Sequence, residues 1–287
     1  LIAPLVWGTT YGVTQRWLPD VEPMWLAALR SLLPGLLLLP WAMRAGWRFN
    51  WRNLLILSLF NLVFFTVLLF VAIQRLPGGV AATLVSTVPL QVLLLLWLRG
   101  QRPSLASMLA SIAGIGGVAM LVWQAPAQLD WVGVMAALLG ATSLAVGGLL
   151  TKRLAGQMSP LVLSAAQFLC SGVLLTVLAW PLTGTLPTLG SSQWLALIWI
   201  GPVGLGLGYY CWFYAMGGIA IERLAFVGLM NPVIAVVLGL YLLNEHLVLN
   251  QLLAIALVLG SVLFAQSPGF RRKPLTKAGT ESASAGA

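Results

Sequence analysis

The stretch AIERLAFVGLMNPVIAVVLGLYLL, residues 220–243, is an apolar run of helical length with Pro232 near its middle. A proline inside a helix removes one backbone donor and crowds the carbonyl four residues earlier, which here belongs to Gly228. Because glycine has no side chain, the crowding is partly relieved. The stretch therefore predicts a helix that is broken at mid-length, with Gly228 and Pro232 at the hinge.

A second run of the same kind, PGGVAATLVSTVPLQVLLLLWL, occupies residues 77–98 and carries Pro89. An interval of 143 residues relates Pro89 to Pro232, and the same interval relates Trp51 to Trp194 and Gly117 to Gly260. One constant interval over such a length indicates an internal repeat rather than two similar helices.

The composition places the chain in a membrane. Of its 287 residues 60% are hydrophobic and only 7% are charged, whereas soluble domains contain about 25% charged residues. A membrane helix needs about 20 apolar residues. The sequence predicts an all-α membrane protein with ten transmembrane helices, at residues 1–18, 22–42, 53–74, 77–98, 104–123, 131–152, 159–180, 193–216, 220–243 and 248–266.

Five spans in each repeat is an odd number, so the second copy must enter the membrane from the opposite side. The expected architecture is an inverted 5+5 repeat, with residues 1–123 as the first repeat and 131–266 as the second. Spans 2 and 7 correspond at an interval of 137, which relates Arg30 to Gln167. Inverted repeats with broken helices are typical of secondary transporters, whose substrate site lies at midplane.

The net charge of +9 orients the protein rather than recruiting nucleic acid. Basic residues near membrane ends favour the cytoplasmic side. Twelve of them fall at even-numbered connections and in the tail, and two, Arg16 and Arg75, at odd-numbered connections. Both termini are therefore expected in the cytoplasm, and the protein is expected in the inner membrane. Residues 267–287 are expected to be a disordered basic tail.

Enzymatic chemistry has no support in the sequence. The six acidic residues are all expected at membrane edges or in the tail, and the lone histidine, His246, follows Glu245 at the end of a span. No paired carboxylates, activated nucleophile or phosphate loop occurs. The two cysteines show neither a disulfide framework nor metal-ligand spacing. We expect no enzyme activity, no metal, no cofactor and no nucleic-acid partner.

Uncharged polar and aromatic residues at mid-span predict a cavity for an amphiphilic solute. Each Ser or Thr taken singly more commonly bonds its own helix, and Tyr210 equally fits an interfacial aromatic belt. Arg30 is the one charge well inside a span and either supports structure or contacts a substrate carboxylate. The cavity residues predicted are Trp7, Thr10, Tyr11, Asn61, Phe65, Thr83, Ser86, Gln167, Tyr210 and Asn231, with Pro89, Gly228 and Pro232 as hinges.

The segment from Asn231-Pro232 to Glu245, its first copy from Val88-Pro89 to Gly117, and Arg30 together resemble the EamA group of the drug/metabolite transporter superfamily. The resemblance covers nearly the whole chain, and within the family it is most similar to bacterial exporters of aromatic amino acids. The first copy departs from the pattern, because Gln101-Arg102 stands where the family often has Gly-Glu. A role for that glutamate is therefore not expected there.

The resemblance implies a small-metabolite exporter that works by alternating access. With no acid deep in the membrane, movement down the substrate gradient is expected. We expect a monomer or weak homodimer whose partners are the lipid bilayer and a small molecule, most specifically an amino acid. Efflux of cationic drugs is the alternative carrier function and predicts an acidic residue in the cavity. A channel is the alternative from another class and predicts flux that does not saturate.

Overall fold

The computed structural model describes residues 2–45, 50–100, 105–123, 130–154, 159–211, 230–244 and 247–266. Within these ranges the chain is helical and contains no strand. Its helices are α1 (Ile2–Trp17), α2 (Pro23–Arg44), α3 (Trp51–Arg75), α4 (Gly78–Leu98), α5 (Leu105–Trp123), α6 (Trp131–Leu154), α7 (Pro160–Thr183), α8 (Ser191–Cys211), α9 (Met230–Leu242) and α10 (Leu249–Gln266). The hinge residue Gly228 and the basic tail lie outside the described residues.

The prediction of an α-helical membrane protein is confirmed at this level. Six helices, α2, α3, α4, α6, α7 and α8, are long and apolar enough to cross a membrane by length and composition. Large aromatic side chains near helix ends are exposed, as expected where they meet a membrane–water interface. They include Trp17, Trp51, Trp97, Trp131, Trp180 and Trp194. Ten crossings and their inverted orientation remain predictions.

Several helices begin where the sequence supplies a cap. Glu22 accepts hydrogen bonds from the backbone N–H groups of Met24 and Trp25, and Pro23 occupies the first position of α2. Asn50 caps α3, and Ser159 caps α7 just before Pro160. An oxygen acceptor followed by proline stabilises a helix start, because the first amides have no partner inside the helix.

Two helices contain wide π turns at corresponding places. In α3 the π segment is Leu59–Val63, and in α8 it is Trp199–Leu207. The interval of 143 maps the first segment onto residues 202–206, inside the second. Such segments are rare and are frequent at functional sites. Their matched positions agree with the repeat that the sequence predicts.

Helix α4 is broken where proline was expected to break it. It consists of Gly78–Val85 and Val88–Leu98, joined by a turn at Ser86 and Thr87. Pro89 lies in the first turn of the second segment and has no N–H for the Val85 carbonyl. In α9 the described residues begin at Met230, and Pro232 is buried in its first turn.

Helices α2 and α7 cross in close contact at two glycines related by the interval of 137. A Cβ at Gly35 would lie 2.8 Å from the backbone nitrogen of Leu169, and a Cβ at Gly172 would lie 2.7 Å from the Cα of Leu32. Gly35 corresponds to Gly172, and Leu32 corresponds to Leu169. The contact is therefore reciprocal, as expected for equivalent helices from two halves. Small residues allow this approach of two backbones in a membrane.

Candidate functional site

The central cavity has a volume of about 330 Å³ and lies between helices from both halves of the chain. A cavity of this size is at the lower end of those that hold small molecules. Its lining includes six of the ten residues predicted from sequence, together with Arg30 and both described hinge prolines. These are Trp7, Thr10, Tyr11, Phe65, Ser86, Asn231, Arg30, Pro89 and Pro232.

Three buried polar atoms on the residues that line this cavity have no hydrogen-bond partner among the described residues. They are the hydroxyl oxygen of Thr10, Nη1 of Arg30 and Oδ1 of Asn231. Leaving a buried polar group unpaired costs free energy, so such atoms usually bond to water or to a ligand. The set comprises a charged donor, a carbonyl acceptor and a hydroxyl that can do either.

Arg30 is held in place without an acidic partner in the described part of the chain. Its side chain is 4% exposed, Nε donates to the carbonyl of Ile200 at 3.3 Å, and its guanidinium carbon lies 5.5 Å from the centre of the Phe70 ring. Glu22 is engaged in capping α2. The guanidinium group of Arg30 is thus anchored at Nε, while Nη1 remains able to donate a hydrogen bond to a carboxylate.

An aromatic wall borders the cavity where α8 meets α1. The ring centres of Trp7 and Tyr209 are 5.5 Å apart in an edge-to-face arrangement, and those of Phe168 and Tyr209 are also 5.5 Å apart and edge-to-face. The indole N–H of Trp7 donates to the carbonyl of Gly204 at 2.9 Å. A Cβ at Gly208 would lie 2.7 Å from that indole nitrogen. Glycine is therefore required there for Trp7 to pack.

Tyr209, rather than the predicted Tyr210, lies on the cavity. Tyr210 is 61% exposed and lines a separate pocket with Leu38 and Pro160. The prediction chose Tyr210 because it lies deeper in its span than Tyr214, on the same helix face. The π segment at Trp199–Leu207 adds residues per turn, so it rotates the following residues about the helix axis. No sequence pattern signals that rotation.

Asn61 and Gln167 were predicted for the central cavity and lie instead in a neighbouring pocket of about 220 Å³. Asn61 Nδ2 donates to Gln167 Oε1 at 2.9 Å and to the Thr151 hydroxyl at 3.0 Å. The prediction missed Thr151, which looks like an ordinary helix-bonded threonine in sequence. Thr83 is fully buried and donates to the Gly79 carbonyl at 2.7 Å, away from both cavities.

The end of the bundle where α3 ends and α4 begins is joined by polar contacts. Gln15 of α1 donates to the carbonyls of Ile73 and Leu76, at 3.0 and 2.8 Å. Arg75 forms an ion pair with Asp130 at 2.7 Å. The hydrogen bond from Arg75 holds the pKa of the Asp130 carboxyl below its ordinary value, and the backbone N–H groups at the start of α6 act in the same direction.

Comparisons with known proteins agree with this architecture. The sequence matches the EamA-like transporter family over residues 1–123 and 131–266. It is 35% identical over 274 residues to Protein PecM of Dickeya dadantii (strain 3937), covering 92% of this chain and 90% of PecM. It is 28% identical over 280 residues to the uncharacterized inner membrane transporter YedA of Escherichia coli (strain K12), covering 92% of this chain and 90% of YedA. A solved crystal structure shares the fold with a TM-score of 0.67, at 21% identity, over 92% of this chain and 93% of that one.

Proposed function

This chain belongs to the EamA-like transporter family, and from that premise we propose that it exports small metabolites across the inner membrane by alternating access. The substrates proposed are amino acids with aromatic or other apolar side chains. Membership of the family makes it a membrane transporter. The proposal goes further on the strength of one observation: the residues that line a mainly apolar central cavity carry three polar atoms without a partner in the described part of the chain.

Those atoms match the charged head of an amino acid. A carboxylate accepts hydrogen bonds, and Nη1 of Arg30 is a charged donor without a partner in the described residues. An ammonium group donates, and Oδ1 of Asn231 and the Thr10 hydroxyl, on two residues that line the same cavity, are acceptors without a partner in the described residues. Charge-assisted bonds of this kind are about twice as strong as neutral ones. A zwitterion would therefore satisfy all three groups at once.

The rest of the cavity suits an apolar side chain. Trp7, Tyr11, Phe65 and Tyr209 contribute rings to its lining. Edge-to-face or offset contacts between aromatic rings contribute about 0.5–1.5 kcal/mol per pair beyond the area they bury. A phenylalanine- or tryptophan-like side chain would gain such contacts, whereas an acidic or strongly polar side chain would lose its hydration there.

Alternating access is supported by features that occur in both halves. Each half has a proline in the middle of a predicted span, and in α4 the helix is visibly broken there. The central cavity lies between the halves, and both described hinge prolines line it. Rocking of inverted halves about a fixed central site is a common transporter mechanism. We infer cytoplasmic termini from the distribution of basic residues.

The rival functions predict different linings. An exporter of cationic drugs needs an acidic group to pair with its substrate, and the described residues that line the central cavity include none. A channel needs a continuous polar path, whereas the lining here is mainly apolar. The cationic centre at Arg30 favours an anionic group on the solute instead.

The test is transport by the purified protein in proteoliposomes. A radiolabelled panel of aromatic, aliphatic, acidic and basic amino acids, with one cationic drug, is measured with and without a pH gradient. We expect saturable movement of aromatic and apolar amino acids down their gradient. Saturable transport of the cationic drug alone contradicts the substrate class, and flux that rises linearly with concentration contradicts the carrier mechanism.

A further inference from the structure

A second polar site lies beside the central cavity. We name it the amide pocket and define it by Asn61, Thr151 and Gln167, which come from α3, α6 and α7. Asn61 donates to both partners, at 2.9 and 3.0 Å. The surrounding space of about 220 Å³ is distinct from the central cavity. Buried amides in a membrane protein cost free energy unless they form hydrogen bonds. In the amide pocket the three side chains bond to one another and open space remains beside them.

The two cavities meet at Tyr209. Both are lined by Leu144 and Tyr209. The Tyr209 ring packs edge-to-face against Trp7, which lines the central cavity, and against Phe168, which lines the amide pocket. Tyr209 and Leu144 therefore stand between the two cavities, and Tyr209 lies two residues after the π segment of α8, which ends at Leu207. A rotation of this one side chain would join the two spaces.

The amide pocket lies toward the end of the bundle where α3 starts and α6 ends. Asn53, near the start of α3, donates to the carbonyl of Leu154, the last residue of α6, at 3.4 Å. Thr151 lies one turn from that end, and Gln167 lies two turns from the start of α7. Basic residues assign this end to the cytoplasm. A solute from the cytoplasm would reach the amide pocket before the central cavity.

The two sites occupy related positions in the two halves. The interval of 137 relates Gln167 to Arg30. Gln167 accepts a hydrogen bond from Asn61 in the π segment of α3, and Arg30 donates to Ile200 in the π segment of α8. In each half the second helix thus bonds the π segment of the other half. In the central cavity, Arg30 is the member of this pair that is proposed above to bind the ligand.

We propose that the amide pocket is a second substrate site, which an amino acid occupies on its way from the cytoplasm to the central cavity, with Tyr209 as the movable partition. The inference rests on the proposed function. Gln167 Nε2 donates to the Leu163 carbonyl at a long 3.4 Å, and Asn61 Nδ2 donates to its two neighbours. A bound zwitterion would replace some of these bonds, since an amide can donate to a carboxylate and accept from an ammonium group without carrying charge. The amides hold a zwitterion more weakly than Arg30 does. A hydrogen bond between two charged groups is stronger than one in which only the ligand is charged.

The first experiment asks whether substrate occupies the pocket when the central site is disabled. Thr151→Cys is made in a background with Cys170→Ala and Cys211→Ala, and its modification by a small neutral methanethiosulfonate is timed with and without L-phenylalanine. Thr183→Cys is the matched control. Both threonines donate to the carbonyl four residues earlier, at 2.8 and 2.9 Å. Thr183 is the last residue of α7, whereas Gln167 of the amide pocket lies near the start of that helix.

We expect L-phenylalanine to slow modification at position 151 and not at position 183. The protection should persist when Arg30→Gln is added, at a concentration of L-phenylalanine raised no more than a few-fold. Protection that disappears with Arg30→Gln overturns the second site and leaves the central site intact. Absence of protection in the parent background likewise overturns the second site if that protein transports L-phenylalanine. If the parent does not transport it, the proposed function fails, and the second site with it.

The second experiment uses sidedness. A Cβ at Gly147 would overlap the Asn61 side-chain oxygen, so Gly147→Ala should displace the amide. Gly116→Ala is the control, because nothing lies within 4 Å of a Cβ at that position. In inside-out membrane vesicles, where L-phenylalanine enters from the cytoplasmic face, Gly147→Ala should raise KM about tenfold, as expected for loss of one or two hydrogen bonds.

In right-side-out vesicles, where L-phenylalanine reaches the central cavity from the other face, the KM of Gly147→Ala should stay within about twofold of the parent. Gln167→Leu repeats the test without a clash and covers the case in which Gly147→Ala does not fold. An equal rise in KM from both faces, or no rise from either, shows that the amides only tie three helices together.

Discussion

Two corners of the molecule occupy related places and carry different chemistry. The Arg30 corner consists of Arg30 and Ile200, and the Gln167 corner consists of Gln167 and Asn61. Each joins the second helix of one half to the π segment of the other. The Arg30 corner has a charge with an unpaired nitrogen, whereas the Gln167 corner has neutral groups bonded to one another.

Under the functions proposed above, the two corners differ in substrate binding while they share one kind of helix contact. A duplicated fold supplies the same helix crossing twice, as the reciprocal contacts at Gly35 and Gly172 show. It does not require the same affinity on both sides. One strong site near mid-membrane and one weaker site toward the cytoplasm would load a carrier without holding its solute too tightly at each step.

The largest effect is expected from making the two corners alike with Arg30→Gln. Loss of a charged partner to a buried carboxylate costs about 2–5 kcal/mol, so amino-acid binding should weaken at least about 30-fold. Thermal unfolding of the detergent-solubilised protein should stay unchanged or shift upward, because an unpaired buried charge is removed. Arg16→Gln, at an exposed arginine, is the control for loss of charge.

This pair of measurements separates the two roles that the sequence left open for Arg30. If Arg30 only supports structure through its bond to the Ile200 carbonyl, Arg30→Gln should lower the unfolding temperature and leave affinity nearly unchanged. That outcome would also remove the contrast between the corners, since neither would then bind substrate through a charge.

The second prediction concerns Pro89 and Pro232, the proposed hinges between the two corners. Pro89→Ala restores a backbone donor for the Val85 carbonyl and should stiffen α4. Turnover should fall about tenfold while substrate affinity changes little, because the conformational step is slowed. Pro232→Ala should act in the same direction. Transport rates and equilibrium binding are measured on the same preparations.

Pro40→Ala provides the matched control for the hinge prediction. Pro40 also lies inside a helix, α2, but it is exposed near the end of that helix. Its replacement should leave turnover unchanged. If Pro89→Ala and Pro232→Ala carriers behave like Pro40→Ala, the mid-span prolines are packing features and rocking about them is wrong.

The third prediction concerns Tyr209, which stands between the corners. Tyr209→Ala removes two edge-to-face contacts, to Trp7 and Phe168, and merges the two spaces. A substrate ring would also lose its own contact with Tyr209, and one aromatic pair contributes about 0.5–1.5 kcal/mol, so affinity for aromatic substrates should weaken about twofold to tenfold. Tyr210→Ala is the neighbouring control and should leave affinity unchanged. Equal effects of both substitutions would show that Tyr209 acts through helix packing alone.

The sequence predicted the framework of this comparison and not its local detail. Constant intervals paired Pro89 with Pro232 and Arg30 with Gln167, because equivalent residues keep their spacing when a fold is duplicated. The π segments could not be predicted, since a wide turn uses the same apolar residues as an ordinary one. Tyr210 was chosen for its depth in the span, and Asn61 and Gln167 as amides at mid-span; depth alone does not say which of two adjoining pockets a side chain lines.

Thr83 was predicted for the cavity and is not among the residues that line it in the structure. A threonine in an apolar helix can face a cavity or bond to the carbonyl four residues earlier, and the sequence does not distinguish these. In the structure its hydroxyl bonds to Gly79. Ser86, at the break in α4, lines the central cavity although it also bonds to the Thr83 carbonyl. A helix break is therefore the better sequence indicator of a cavity-facing hydroxyl.

The smallest effect is expected from the exposed link between the halves, Arg75 with Asp130. Like the two corners, this ion pair links the first half of the chain to the second, here from the end of α3 to the start of α6. Unlike them, it is exposed to solvent. Because the pKa of Asp130 is lowered, the ion pair contributes fully above the ordinary pKa of 3.8 and is lost as the pH falls below it. Near neutral pH, Asp130→Asn should change transport by less than about twofold, since exposed ion pairs contribute little. Below pH 3.8 the unfolding temperature of the parent should approach that of Asp130→Asn. A large loss of transport at neutral pH would mean that this contact, rather than the buried corners, controls the movement of the halves.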